Sequence, residues 1–155
     1  MAKFITIIRG NPKKKPRPIK FYYQCVCVAE STLRCGERAC VHRFDGINGS
    51  NVHDLTSANA FPQRPTRTVA LTNGSFEARS GHGHNYGTML EGFVAAPTTG
   101  RYTFAVDSDD SSEVWVSSTP NALDQDMVKV VEQTCCVKVE GTSSVAWVAG
   151  EMQAF

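Results

Sequence analysis

The sequence predicts an all-β fold, an antiparallel β-sandwich, on three observations. From about residue 88, short runs of β-branched and aromatic residues recur at intervals of about 8–12 residues with turn signals between them, the spacing of a sandwich or barrel. No segment sustains a helical apolar period for more than two turns, so no substantial helix is expected. From Cys40 onward, Asn, Gly, Ser, Pro and Asp crowd between the apolar runs, as loops that join strands require.

The chain has 155 residues, which fits one domain able to bury about two-thirds of its unfolded surface. Its formal net charge is +1, so bulk electrostatics give no pointer to nucleic acid or to a membrane surface. No run is long enough to span a bilayer as a helix.

Two regions are expected. Residues 1–40 read as a basic, proline-containing arm or poorly ordered segment, and residues 41–155 as the sandwich. Lys3, Arg9, Lys13, Lys14, Lys15, Arg17 and Lys20 lie in the arm with no acid among them. The stretch NPKKKPRP (11–18) alternates proline with charge and suits neither a helix nor an inner strand. It reads as a solvated tail, with an import signal or polyanion patch as the alternative. FITII (4–8) is too short for a secretion signal, and basic residues rather than a small-residue cleavage site follow it. FYYQCVCVA (21–29) is β-prone, and a strand and a short apolar anchor both remain open.

Six cysteines stand at 25, 27, 35, 40, 135 and 136. Their even number in a chain with few charges is compatible with disulfides, and plain free thiols are the other ordinary reading. The set Cys25, Cys27, Cys35, Cys40 and His42 lacks the usual pair spacing of zinc sites, so a zinc knot is the lesser reading. Adjacent Cys135 and Cys136 are not expected to bond to each other, because neighbouring α-carbons sit too close for a relaxed bridge.

In order along the sandwich, residues 43–68 read as long loops and short extended pieces. Asn73-Gly74 signals a turn between VALT and SFEA. GHGHNYG (81–87) is a glycine-rich loop in which His82 and His84 alternate to one side; solvated histidines are the ordinary reading and a metal role the other. Strands are then expected at TMLEGFVAA (88–96), RYTFAVDS (101–108), EVWVSS (113–118), MVKVV (127–131), CCVKVEG (135–141) and SVAWVAG (144–150).

The junction between the second and third of these strands carries Asp107, Asp109 and Asp110. Like charges this close repel, so water, backbone amides or a cation must compensate them. The dense hard oxygen suits Ca²⁺. An EF-hand is excluded, because counting from Asp107 the sixth position is Ser112 and the twelfth Ser118. Turn capping by Asp and Ser side chains is the competing explanation. Nucleophile elbows, zinc-protease helices, P-loops and dinucleotide glycine patterns do not occur. Asp107, Asp109 and Glu113 make a poor glycosidase pair, since such carboxylates face each other across a cleft. A noncatalytic protein is expected.

Asn85-Tyr86-Gly87-Thr88, Gly92-Phe93, Ala96-Pro97 and Thr99-Gly100 are followed by Tyr102-Thr103-Phe104, Ser108-Asp109-Asp110-Ser111 and Glu113-Val114-Trp115-Val116-Ser117. Upstream lie FDGINGSNVHDLT (44–56), Pro62, Pro65 and SFEA (75–78). This ordered set, over about residues 43 to 150, resembles the PA14 domain, the β-sandwich module named after the toxin protective antigen. That module also occurs in fungal adhesins and flocculins, bacterial glycosidases and fibrocystin-like surface proteins. The resemblance implies an extracellular or cell-surface carbohydrate-binding or adhesion module whose partner is a glycan. In the calcium-dependent adhesins, two consecutive aspartates joined by a cis peptide face one Ca²⁺, which coordinates sugar hydroxyls. The positions that match are Asp109 and Asp110, which the resemblance makes both the metal ligands and the carbohydrate-binding residues. No counterpart of the adhesins' later asparagine ligand is found. The family's closing hairpin is expected to be missing, since the sequence stops at GEMQAF (150–155). A structural or protein-interaction domain without a ligand site, and a fragment of a carbohydrate-active enzyme, remain the alternatives.

Overall fold

A computed structural model describes residues 4–9, 39–72, 77–78, 83–95, 100–106, 108, 110–117, 127–134, 139–147 and 152–154. The chain is all-β, as expected. Ten strands and one five-residue helix are formed among the described residues: β1 (Phe4–Arg9), β2 (Cys40–Asp45), α1 (Val52–Thr56), β3 (Arg67–Ala70), β4 (Tyr86–Glu91), β5 (Phe93–Ala95), β6 (Gly100–Val106), β7 (Ser112–Ser117), β8 (Met127–Gln133), β9 (Val139–Trp147) and β10 (Met152–Ala154). Six of them build one sheet in the order β3-β2-β4-β1-β7-β8, and β5 pairs with β10 and β6 with β9. Every pairing is antiparallel. The two smaller pairs lie against β7 and β8.

β4, near the middle of the sheet, is covered on both faces. Every residue of β4 is buried. On one face, Gly87, Met89 and Glu91 stand opposite Phe44, His42 and Cys40 of β2. The loop after β2 folds back over this face and carries α1, whose Val52 and Leu55 join Phe44, Ile47 and Met89 in a core flanked by Ala58, Ala60 and Phe61. Gly87 lets the helix approach closely, for a β-carbon there would lie 2.7 Å from a Leu55 methyl. The helix starts at Asn51, whose backbone N–H donates to Asp54 Oδ2 at 2.9 Å. Gly49 leads into that cap at φ +96°, and a side chain at this position would collide with the Asp54 carboxylate.

The opposite face holds Tyr86 and Leu90, Val114 and Val116 of β7, and Val131 of β8, all buried, with Phe104 and Val106 of β6 also in the core. Ser112, Val114 and Val116 are buried in alternation with the more open Glu113 and Trp115, the period-2 pattern of a half-covered strand. β8 departs from that alternation. Val114 pairs with Val131 and Trp115 with Lys129, so Val130 is an extra residue, and this bulge turns both Val130 and Val131 inward. Outside, Lys129 Nζ lies 2.6 Å from Glu132 and 3.2 Å from Glu113, and 5.7 Å from the centre of the Trp115 ring.

Several elements differ from the expectation. Residues 4–9, placed by sequence in the arm, form β1 between β4 and β7; the rest of the arm to residue 38 lies outside the described residues. β2 and α1 arise within a stretch read mostly as loop. TMLEGFVAA divides at Gly92 into β4 and β5. The two strands expected at 135–141 and 144–150 are one strand, β9, over the described part. Gly141-Thr142-Ser143 reads as a turn in isolation, but these three residues of β9 stand against the single Phe104 of β6, so the two extra residues form a bulge. β3 pairs with β2, and the turn expected at Asn73-Gly74 lies outside the described residues. β10 pairs with β5.

Candidate functional site

The acidic junction lies between β6 and β7, at the end of the large sheet marked by Asp45, Tyr86 and Ser112. Three separate segments fix it. Ser108 is held by Gln133 at the end of β8, whose Nε2 donates to the Ser108 carbonyl at 2.8 Å. Gln133 Oε1 accepts from the Ser108 hydroxyl at 2.6 Å and from its backbone N–H at 3.2 Å. Ser112 Oγ completes the cluster 2.7 Å from Ser108 Oγ. Ser108, Ser112 and Gln133 are all buried. Each buried polar group therefore has a partner, as stability demands.

Ser111, also buried, is tied to the loop that leads into α1, donating its hydroxyl to the Ser50 carbonyl at 2.6 Å and its backbone N–H to the same oxygen at 3.4 Å. That loop is tied in turn to the turn before β4, where Ile47 N–H donates to Asn85 O at 2.9 Å. Asn85 sits at φ +56°, a left-handed conformation that asparagine accepts more readily than most residues. The segments around 46–51, 83–86 and 108–112 thus meet at one end.

Between the clamped serines, Asp110 is half-buried. Tyr86 is close enough to feel it. Burial pushes the Tyr86 phenol above its usual range, Arg43 partly offsets this, and the Asp110 carboxylate pushes it further up. The Arg43 guanidinium lies 4.9 Å from the centre of the Tyr86 ring, and its Nε donates to Asp45 at 2.6 Å. The end of the sheet therefore combines carboxylates and hydroxyls beside the buried Tyr86 ring, a composition suited to a hard cation or a polyol.

Asp107 and Asp109 lie outside the described residues, and so does the linkage of Asp109 to Asp110. His84 is exposed, and His82 is outside the described residues. Among the cysteines, Cys40 is buried and disulfide-bonded, and the other five lie outside the described residues. Its oxidised sulfur bears against the zinc-knot reading, which needs a thiolate there.

Sequence reasoning missed Gln133 at the acidic junction, and in a second grouping it placed Cys40 beside His42 but missed Glu91. Gln133, the residue that anchors the acidic junction, stands 25 positions away at the end of a strand read as closing at Val131. The second grouping is buried on the helix-covered face, where Cys40, His42 and Glu91 bring their ligand atoms within 4.8 Å of one another. His42 Nε2 lies 2.8 Å from Glu91 Oε1, and its Nδ1 lies 2.9 Å from Thr68 Oγ1. The available signal was Cys40-x-His42, which places both side chains on one face of a strand.

A family model described as PA14 domain matches residues 47–152. Neither the curated proteins nor the solved structures searched contain a match. Among the described residues no helix is long and apolar enough to cross a membrane.

Proposed function

The chain belongs to the PA14 domain family, known in carbohydrate-binding and adhesion proteins, and from that membership we propose that it is a noncatalytic glycan-binding or adhesion module. Asp109 and Asp110 hold Ca²⁺ in this reading, and the ion presents open positions to sugar hydroxyls. The observation that carries the proposal is the double clamp on the acidic junction. Gln133 fixes Ser108 on one side and the Ser50 carbonyl fixes Ser111 on the other. Ser108 and Ser111, anchored on either side of Asp110, already hold this part of the junction in place before a cation binds. Ordering costs met in folding are then absent from binding, which raises affinity.

The module acts outside the cell in this reading. The disulfide at Cys40 supports it, since disulfides persist chiefly in oxidising environments.

Thermal denaturation in a calcium titration tests the assignment. A site with a Kd of about 1 µM gains roughly 4 kcal/mol at a thousandfold excess of ion. The gain vanishes in Asp109→Ala and in Asp110→Ala. An unchanged melting temperature in the parent chain, or a gain that persists in Asp109→Ala, refutes calcium binding at this pair. Glycan-array binding that EDTA abolishes then identifies the sugar class.

A further inference from the structure

We propose that Thr68 is a covalent acceptor site, whose hydroxyl, activated through His42 and Glu91, takes up one acyl group from a thioester or aryl ester. The site stands apart from the acidic junction and does not depend on the calcium reading.

Three neighbouring strands build it. β3, β2 and β4 lie side by side and supply Thr68, His42 and Glu91 in that order. Thr68 stands directly opposite His42. Glu91 stands opposite Cys40, two positions from His42 on the same face of β2. The three side chains therefore meet in one line across the sheet. Glu91 Oε1 lies 2.8 Å from His42 Nε2, and His42 Nδ1 lies 2.9 Å from Thr68 Oγ1. Carboxylate, imidazole and hydroxyl in series are the arrangement that makes a hydroxyl a nucleophile.

The direction of the line follows from its chemistry. A carboxylate only accepts, so Nε2 carries the ring proton, Nδ1 presents its lone pair, and the Thr68 hydroxyl donates to it. His42 has no exposed surface and Glu91 only 5%, whereas Thr68 is exposed. The base is sealed inside, and the hydroxyl is the member of the line that meets solvent. The edge of the sheet adds a donor. Leu71 N–H bonds to Ala39 O, so the alternate residues 71, 69 and 67 face β2 and the Thr68 N–H points to the outer edge. Among the described residues no strand pairs with that edge. A nucleophile's own N–H is one of the donors that hold the oxyanion in acyl transfer.

The step balances without an oxidant or reductant. Thr68 Oγ1 attacks the acyl carbon while His42 Nδ1 takes the hydroxyl proton. The bond to the thiolate or phenolate breaks, and the proton passes to that leaving group. The products are a Thr68 ester and a free thiol or phenol. The ester oxygen then stands between Nδ1 and solvent. Because His42 is fully enclosed, water does not reach its lone pair to be activated. The ester persists, and the chain is an acceptor, not a turnover enzyme.

The test incubates the full chain with p-nitrophenyl acetate under non-reducing conditions and locates the label by peptide mass mapping. One acetyl group is expected at Thr68. Hydroxylamine removes it, since that reagent cleaves esters and spares the amides formed at lysines. Thr66, exposed and two positions away, is the internal control. Thr68 reacts at least about 100-fold faster, the size of a general-base contribution. Thr68→Ser is labelled at the same position, and Thr68→Val carries no ester there. Glu91 acts by positioning the ring. In Glu91→Gln the amide donates to Nε2 and moves the ring proton to Nδ1, which slows acylation by at least about 100-fold. The nitrogen-15 spectrum of the imidazole reads Nε2–H in the parent and Nδ1–H in this variant. The proposal is overturned by a parent chain without an ester at Thr68, by equal rates at Thr66 and Thr68, or by labelling of Thr68 that is as fast in urea as in the folded chain. A parent imidazole protonated at Nδ1 alone overturns it too. All four of these results are read on the parent, so none depends on a variant that folds.

Discussion

At the scale of single residues, Gln133 does the most to shape the acidic junction. Its amide makes both a donor and an acceptor contact to Ser108, and no aliphatic side chain reproduces either. Gln133→Leu leaves the Ser108 backbone groups buried without that partner. The expected loss is about 1–3 kcal/mol for each unsatisfied group, read by urea denaturation, together with weaker calcium binding. Equal stability of variant and parent would show that the clamp is not needed. Tyr86 offers an independent reading of the same place. Its phenol holds its proton more tightly in the folded chain, first through burial and further through Asp110. The sign follows from linkage: stability is intact below the ordinary value of 10.0 and is lost as pH rises through the higher folded value. Tyr86→Phe removes that alkaline loss. Bound calcium, by neutralising charge near Asp110, lowers the Tyr86 value, and phenolate absorbance measured against Tyr86→Phe detects the change. The acids at 107, 109 and 110 were legible in the sequence as a dense cluster of like charge. Their anchor was not, because a glutamine following an apolar run carries no local sign of a contact 25 positions away.

At the scale of elements, two placements matter most. β1 stands between β4 and β7, so both of its edges are paired. Proline has no N–H for a ladder and is excluded from such positions. Ile7→Pro is expected to abolish cooperative thermal unfolding, and a melting temperature equal to the parent's would mean that β1 is dispensable. The helix-covered face depends on close approach. Gly87→Ala places a methyl group against Leu55 and is expected to cost about 1–3 kcal/mol, as overpacking of a core does. A stability within error of the parent would show that Leu55 has room to move. Here the sequence was only partly legible. The alternating runs at 101–108 and 113–118 mark β6 and β7 because one face of each is buried. α1 escaped notice because five residues make less than two turns, too few to establish a period. Glu91 escaped because it stands in an otherwise apolar run, MLEGF, where a buried charge is rare without a partner.

At the scale of the whole molecule, one sheet separates two chemically different places. The acidic end gathers hard oxygen donors on loops, and the far end of β2 buries a sulfur, a nitrogen and a carboxylate under the α1 side. Fold class and family were both legible, because turn spacing and the ordered motifs from Asn85 to Ser117 survive as local patterns. The pairing order was not, since β1 reaches its place from beyond a segment of some thirty residues and nothing in FITIIR names its neighbours. The central claim is that a clamped junction presents Asp109 and Asp110 to one cation. A crystal structure grown in millimolar calcium measures this most directly. The account predicts a calcium ion bridging the two carboxylates, with Ser108 still bound to Gln133 and Ser111 to Ser50. An ordered junction with no ion, its two carboxylates turned apart toward solvent, would contradict it.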